Sequence, residues 1–141
     1  LKDKQSAAEF CFFNTHFDHV GKIAREMSSR LLIQKAMEIS QGKAILVVGD
    51  FNAKPRTKTI RLFLENGYSE SKRAIKPKNG QPKVSFHAFE YDPQRSDPSM
   101  EWFDFIFSKG FLTLVFNVIA SSVNGRYPSD HFPISATVQI D

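Results

Sequence analysis

The chain has 141 residues, of which 41% are hydrophobic and 14 are Phe, and its formal net charge is +4. This length suits one modest domain with a real core, and the many large aromatic side chains favour a sheet-rich core. The mildly basic charge suits a phosphate-bearing partner, although many unrelated proteins share it. The single cysteine, Cys11, excludes an internal disulfide and a cysteine-type zinc site. No apolar stretch is long enough to form a transmembrane segment.

The first third of the chain predicts a strand followed by a helix. Residues 9–16 form a short, aromatic-rich segment after a polar start, which favours a strand. Residues 23–40 predict a helix, because apolar residues recur near the helical period. The residues of this rough apolar stripe are Ile23, Met27, Leu31, Ala36 and Ile39.

The remainder of the chain predicts more strands and one further helix. The continuous apolar run 44–48 is typical of a strand covered on both faces, although periodicity alone does not exclude a helix. Residues 57–66 predict a short helix that ends at Gly67. Residues 72–97 are polar and proline-rich, so they predict a long loop with one short strand near 84–86. Three more strands are predicted at 101–107, 113–121 and 132–140, which gives a mixed α/β domain over residues 1–141.

Four polar clusters lie at the ends of predicted strands, at residues 14–19, 49–52, 103–105 and 129–131. Taken singly, an Asp, Asn or His at such a position is more often a turn or structural residue. Their joint occurrence changes this interpretation. Asp50 and Asn52 are two residues apart in nearly extended chain, so both side chains can point to one face while Phe51 anchors the other. Open α/β folds place ligands near such strand ends.

Asp104 interrupts an aromatic strand, with Phe103 before it and Phe105 after it. A carboxylate in such surroundings is costly to bury unless it has a hydrogen-bonded partner. A histidine ring N–H would serve, and it would fix the histidine tautomer at the same time. Both His16 and His131 are candidates for this partner.

The segments NTHFDH, GDFN, WFDFIF and YPSDHFP occur in this order and resemble the motif set of the endonuclease/exonuclease/phosphatase superfamily. The resemblance covers residues 10–138, and four ordered motifs are far more specific than GDFN alone. It implies a DNase I-like fold, a four-layer α/β sandwich. This chain would form the C-terminal half, as a mixed, mostly antiparallel sheet with flanking helices. Members of the superfamily include nucleases, abasic-site endonucleases, neutral sphingomyelinases and inositol polyphosphate phosphatases.

The same resemblance implies roles for five residues at the site. Asp50 would orient or deprotonate the attacking water, and Asn52 would hold that water or a phosphate oxygen. His16 would contact the scissile phosphate. His131 would bind and polarise the phosphate, with Asp104 fixing its orientation. The resemblance carries no catalytic role to Asp18 and His19, which belong to the same first motif.

A divalent cation, Mg²⁺ or Mn²⁺, is the cofactor that the resemblance implies, with Asp130 beside it as a ligand. The family's N-terminal half supplies an Asn and a metal-binding Glu, and nothing before Phe10 matches them. Because Mg²⁺ requires octahedral oxygen ligation, we expect an incomplete metal site in this chain. We also expect an exposed apolar sheet face, which the N-terminal half or another chain would cover.

The expected activity is therefore metal-dependent hydrolysis of phosphodiester or phosphomonoester bonds, with nucleic acids and nucleotides among the candidate substrates. One alternative is a non-catalytic binding or scaffold module on the same half-fold. Another is a lipid phosphodiesterase with an exposed aromatic loop at residues 86–89, although a core strand is the favoured interpretation of that segment. The residues leave the compartment open, with a secreted or periplasmic location favoured over a cytoplasmic one.

Overall fold

The computed structural model describes residues 1–75, 80–92 and 101–141. The elements are β1 (Phe10–His16), α1 (Lys22–Ser40), β2 (Ala44–Asp50), α2 (Lys58–Glu65), β3 (Ser69–Glu70), α3 (Ser71–Ala74), β4 (Asp104–Lys109), β5 (Phe111–Val118) and β6 (Ile134–Ile140). One sheet has the order β1-β2-β4-β3, and β5 pairs with β6 in a two-stranded ribbon. Among the pairings of these described strands, only β1–β2 is parallel. Within the described ranges, no helix combines the length and the hydropathy needed to span a bilayer.

Phenylalanine rings hold the helix-covered side of the four-stranded sheet together. Phe51 is fully buried and contacts four other rings edge-on, among them Phe17 at 5.0 Å and Phe63 at 5.3 Å between centroids. Phe63 on α2 stacks on Phe107 of β4 at 4.6 Å. Edge-to-face and offset contacts of this kind add to the free energy of burial. The loop after β2 and the second helix are therefore fixed against the sheet.

The buried face of α1 differs from the predicted apolar stripe. Its buried residues are Ser29, Ile33, Ala36 and Ser40, whereas Ile23, Met27, Leu31 and Ile39 are each more than half exposed. Small residues allow the helix to approach its neighbours closely, and the Ser29 hydroxyl donates to the Thr59 carbonyl at 3.1 Å near the start of α2. Helix–helix contact thus selects the small, partly polar face over the more hydrophobic one.

The predicted elements are otherwise largely confirmed, with boundaries shifted by up to three residues. The predicted strand at 84–86 is wrong, because Phe86 forms only isolated bridges, to Glu101 and His131. The segment 86–89 is likewise not a core strand: His87 is buried, but Phe89 is 60% exposed at a turn. The structure adds β3 and α3, which the sequence did not predict. Within the predicted loop 72–97, residues 76–79 and 93–97 lie outside the described part.

The opposite face of the four-stranded sheet carries no helix in the described residues. Phe12 on β1 lies beside Leu46 on β2 in the strand register, and its side chain is 48% exposed. On the neighbouring ribbon, Leu112 and Leu114 are 57% and 45% exposed. Aliphatic and aromatic residues exposed on strands in this way mark a surface that another segment can cover.

Gly49 allows β1 and β2 to pair closely. Its φ of +142° lies in a region that L residues avoid, and a Cβ there would lie 1.8 Å from the Thr15 carbonyl oxygen of β1. No small side-chain movement relieves a clash with backbone. Only glycine therefore permits the register that places the ends of these two strands side by side.

We expect Gly49→Ala to reduce the free energy of unfolding by more than about 3 kcal/mol, since β1 must separate from β2. Gly42→Ala is the matched control, because Gly42 also has positive φ, +86°, but has open space around it. Its cost should be about 1–2 kcal/mol. Urea unfolding monitored by circular dichroism measures both. Equal losses in the two variants would contradict the steric role of Gly49.

Candidate active site

The strand register brings three of the predicted site residues together at one edge of the sheet. His16, the last residue of β1, pairs with Asp50, the last residue of β2. Asp50 in turn pairs with Asp104, the first residue of β4. Because paired residues in a sheet are direct neighbours, a histidine and two aspartates form a row across three strands.

The chain after Asp50 folds back to fix its carboxylate. The Asn52 backbone N–H donates to Asp50 Oδ1 at 2.7 Å, and the Asn52 side-chain amide donates to the Phe17 carbonyl at 2.9 Å. Asn52 adopts a positive φ of 45°, a conformation that asparagine tolerates better than most residues. One oxygen of Asp50 is thus occupied, while Oδ2 faces His16 Nε2 at 3.4 Å and His131 Nε2 at 3.8 Å.

His131 is the partner of Asp104. Its Nδ1 lies 2.7 Å from Asp104 Oδ2. An ionised carboxylate only accepts hydrogen bonds, so Nδ1 carries the proton and donates. His131 Nε2 then faces Asp50 and the cavity. Of the two candidates that the sequence left open, His16 instead lies beside Asp50.

A pairing between two distant segments holds His131 in place. The His87 backbone N–H donates to the Asp130 carbonyl at 2.8 Å, and the Phe132 N–H donates to the Ser85 carbonyl at 2.7 Å. The buried Ser85 hydroxyl accepts from the backbone N–H of Asp104 at 3.1 Å. Residues 85–87 therefore connect both members of the His131–Asp104 pair to one rigid segment.

All six predicted site residues line one open cavity of about 570 Å³. The five predicted catalytic residues and Asp130 are joined there by three residues without a predicted role, namely His19, Phe86 and Phe103. The Phe86 ring lies 5.1 Å from the His131 ring and 5.7 Å from the Phe103 ring. No local sequence signal marks Phe86 as a site residue, because it reaches the cavity through the long-range pairing with residues 130–132.

The electrostatics of the cluster favour a basic Asp50 and a cationic His131. Burial raises the pKa of the Asp50 carboxyl, and the nearby charge of Asp104 adds to this, while the Asn52 backbone N–H opposes it. The hydrogen bond to Asp104 raises the pKa of His131 above its ordinary value of 6.5, despite the opposing effect of burial. Two carboxylates thus share the positive charge of one imidazole, and Asp50 becomes a better proton acceptor than an exposed aspartate.

The donor set is compatible with a divalent cation. Asp50, Asp104 and His131 each offer one ligand atom, and these atoms lie within 4.8 Å of one another. Carboxylate oxygens suit Mg²⁺ and Mn²⁺, and an imidazole is more typical of transition metals. Asp130, the predicted ligand, lines the same cavity but does not belong to this tight group. A hard cation would thus find carboxylates here but would need further oxygen ligands from elsewhere.

The charge of Asp104 gives a direct test of the pair. We expect Asp104→Asn to lower the pKa of His131 in the metal-free protein, because the amide still accepts the Nδ1–H hydrogen bond but no longer stabilises the imidazolium. A pH titration of the imidazole carbon-bound protons by NMR measures this, with the His131 signal assigned by its loss in His131→Gln. Glu38→Gln, an exposed change on α1, is the control. An unchanged His131 pKa would contradict the pairing.

The fold of this chain is similar to those of several solved structures. It is similar to an endonuclease/exonuclease/phosphatase family protein from Bacteroides thetaiotaomicron, with 30% identity and a TM-score of 0.82 over 99% of this chain and 52% of that one. A mannosyl-6-phosphatase from the same species gives 28% identity and a TM-score of 0.82, over 99% and 54%. A functionally unknown conserved protein from Enterococcus faecalis gives 27% and 0.80, over 92% and 50%.

The chain therefore spans about half the length of each of these structures. Its mixed α/β architecture with a mostly antiparallel sheet matches the DNase I-like fold of these neighbours. No curated protein sequence matches it. The sequence pattern of the endonuclease/exonuclease/phosphatase family, however, matches residues 6–131, from just before β1 to His131 at the cavity. This chain belongs to the endonuclease/exonuclease/phosphatase family.

Proposed function

We propose that this chain provides the acid–base and phosphate-binding groups of a divalent-metal-dependent phosphoesterase. The observation that supports this most is the aligned row of His16, Asp50 and Asp104, with His131 hydrogen-bonded across its end. A carboxylate of raised pKa beside imidazole donors is the combination that hydrolysis of a phosphate ester requires. A scaffold module has no chemical need for this arrangement.

In the proposed reaction, water attacks phosphorus in line with the leaving oxygen. Asp50 Oδ2 accepts the proton of that water, because Oδ1 is already occupied by the Asn52 N–H. A positioned base of this kind is worth roughly 10²–10⁴-fold in rate. The P–O bond to the leaving oxygen breaks as the new P–O bond forms, and the leaving oxygen takes a proton from solvent. The products are the alcohol and a phosphate in which the oxygen of water replaces the ester oxygen, and Asp50 then releases its proton to solvent.

His131 stabilises the negative charge that develops on the phosphoryl oxygens. Its Nε2 faces the cavity, and the hydrogen bond from Nδ1 to Asp104 raises the pKa of His131 and so favours the imidazolium form. His16, at the end of β1 with 74% of its side chain exposed, provides a second donor at the rim. Donors that are already in position stabilise the transition state electrostatically, and this is usually the greatest single contribution to the rate enhancement. Asn52 lies beside Asp50 and orients the water or a phosphate oxygen.

A bound divalent cation would supply Lewis-acid stabilisation of the phosphoryl oxygens. Asp130 and Asp50 are the residues that we propose would hold it, together with ligands outside this chain. The carboxylates of this chain alone leave a hard cation short of its preferred oxygen coordination. Mg²⁺ affinity should therefore depend on the rest of the protein.

The substrate that we favour is a phosphomonoester. A similar solved structure is a mannosyl-6-phosphatase, which is 28% identical to this chain over 54% of its own length. The cavity of about 570 Å³ has room for an organic group beside the phosphate. A phosphodiester, including one in a nucleic acid, is the second candidate, and the net charge of +4 is compatible with it.

We expect Asp50→Asn and His131→Gln each to lower kcat by about 10²–10⁴-fold in the full-length protein, with the fold retained. Hydrolysis of p-nitrophenyl phosphate and bis-p-nitrophenyl phosphate, with Mg²⁺ and after chelation, measures this and distinguishes monoester from diester activity. Lys35→Ala, on the outer surface of α1, is the control and should behave as the wild type. Wild-type turnover in both variants would contradict the assigned roles.

We further propose that another segment of the protein, or another chain, covers the helix-free face of the sheet. The exposed side chains of Phe12 and Leu112 support this, as does a chain length of about half that of the similar structures. Sheets that pack face to face lie about 10 Å apart and bury such side chains. A covering segment would also be placed to supply ligands to the cation.

The 141-residue chain by itself should therefore self-associate and bind Mg²⁺ weakly. Sedimentation velocity measures the association, and calorimetric titration measures the Mg²⁺ affinity. Phe12→Gln should reduce association because it removes an apolar group from the helix-free face. Met27→Gln is the matched control on the opposite side, where Met27 is 60% exposed on α1. A monomer with tight Mg²⁺ binding would contradict the proposal, and so would equal effects of the two substitutions.

A further inference from the structure

His19 lines the cavity, but neither the sequence motif nor the proposed mechanism gives it a task. Its side chain is 81% exposed, so it contributes little to the core. Across the part of the chain that the structure describes, its one polar partner is Asp18, whose Oδ1 lies 3.9 Å from His19 Nδ1. Nε2, on the other edge of the ring, is left to contact a ligand.

The backbone on both sides of His19 is held firmly. Before it, the buried residue Phe17 donates its N–H to the Asp50 carbonyl at 2.9 Å, and its own carbonyl accepts from the Asn52 amide. After it, Asp18 Oδ2 accepts from the Gly21 N–H at 2.6 Å. Arg25 donates to the Asp18 carbonyl at 2.9 Å. An exposed imidazole is thus mounted on an ordered turn at the edge of the site.

Gly21 leaves room for the Asp18 carboxylate in this turn. A Cβ at this position would lie 2.6 Å from Asp18 Oδ2, the atom that accepts the Gly21 N–H. A side chain there would displace the Asp18 carboxylate and loosen the residues between them. The turn therefore holds the backbone at His19 in place before a substrate arrives, which reduces the entropy that this segment loses on binding.

The cavity has two distinct parts. Asp50, Asp104 and His131 form the catalytic cluster, and their ligand atoms lie within 4.8 Å of one another. The Phe86 and Phe103 rings add an apolar wall to the same cavity. A phosphate occupies only a fraction of about 570 Å³, so the organic part of the ester also lies inside. His19 is outside this catalytic cluster and can contact the organic part of the ester.

We propose that His19 determines substrate specificity by binding an acceptor oxygen on the alcohol part of a phosphomonoester, beyond the reacting phosphate. This inference rests on the proposed function. A sugar hydroxyl is the chemistry that fits, because the imidazole N–H donates to it while the apolar wall contacts the ring carbons. His16 instead acts on the phosphate, since its Nε2 lies 3.4 Å from Asp50 Oδ2.

The test compares a hexose 6-phosphate with phenyl phosphate, whose alcohol part carries no further hydroxyl, in the full-length protein. The ratio of the two kcat/KM values should fall about five- to tenfold in His19→Ala and in His19→Phe, which matches one lost hydrogen bond. His19→Gln keeps an N–H donor and should recover most of the ratio. His16→Ala should lower both kcat/KM values by similar factors and leave the ratio near that of the wild type.

Each other result overturns the inference in a distinguishable way. A wild-type ratio in His19→Ala would show that His19 does not bind the alcohol part of the substrate. Equal losses on both substrates would place His19 at the reacting phosphate instead. A wild-type protein that hydrolyses neither substrate would refute the phosphomonoester assignment, and the proposed role of His19 with it.

Discussion

The register between β1, β2 and β4 is the constraint on which the site depends. In this register, His16, Asp50 and Asp104 become neighbours across three strands at one sheet edge. A shift by one residue would move each side chain to the opposite face of the sheet. The register is secured by two features on either side of Asp50: the glycine at position 49, which admits the β1 backbone, and the buried phenylalanine cluster around Phe51.

The site places two carboxylates close together, and different neighbours stabilise the negative charge of each one. Asp104 is matched by the Nδ1–H of His131, whereas Asp50 receives the Asn52 N–H and faces two imidazoles. The two carboxylates therefore differ in their effect. Burial raises the pKa of Asp50 itself, whereas Asp104 raises the pKa of His131 through their hydrogen bond. Different hydrogen-bond partners give identical side chains different tasks, as acid–base pairs in enzymes require.

The two faces of the main sheet differ in a way that bears on the whole protein. One face is closed by α1 and α2 over a core of aromatic rings. The other has half-exposed apolar residues such as Phe12, and the chain spans about half the length of similar solved structures. The site lies at the edge where the two faces meet. The covering segment that we propose would therefore border the cavity.

The sequence by itself predicted the order of the longer helices and strands, the family and the residues that meet at the cavity, because strand ends carry their polar residues in short, ordered motifs. It missed β3 and α3 and placed a strand wrongly at 84–86. It also predicted that Asp104 needs a hydrogen-bonded partner, since a carboxylate between aromatics is costly to bury. Only the tertiary structure decided that this partner is His131 and not His16, because strand register and the pairing of residues 85–87 with 130–132 are long-range. For the same reason the sequence missed Phe86 at the cavity and chose the wrong face of α1. There, close contact with α2 favoured small residues such as Ser29, and local hydrophobic periodicity carries no information about that neighbour.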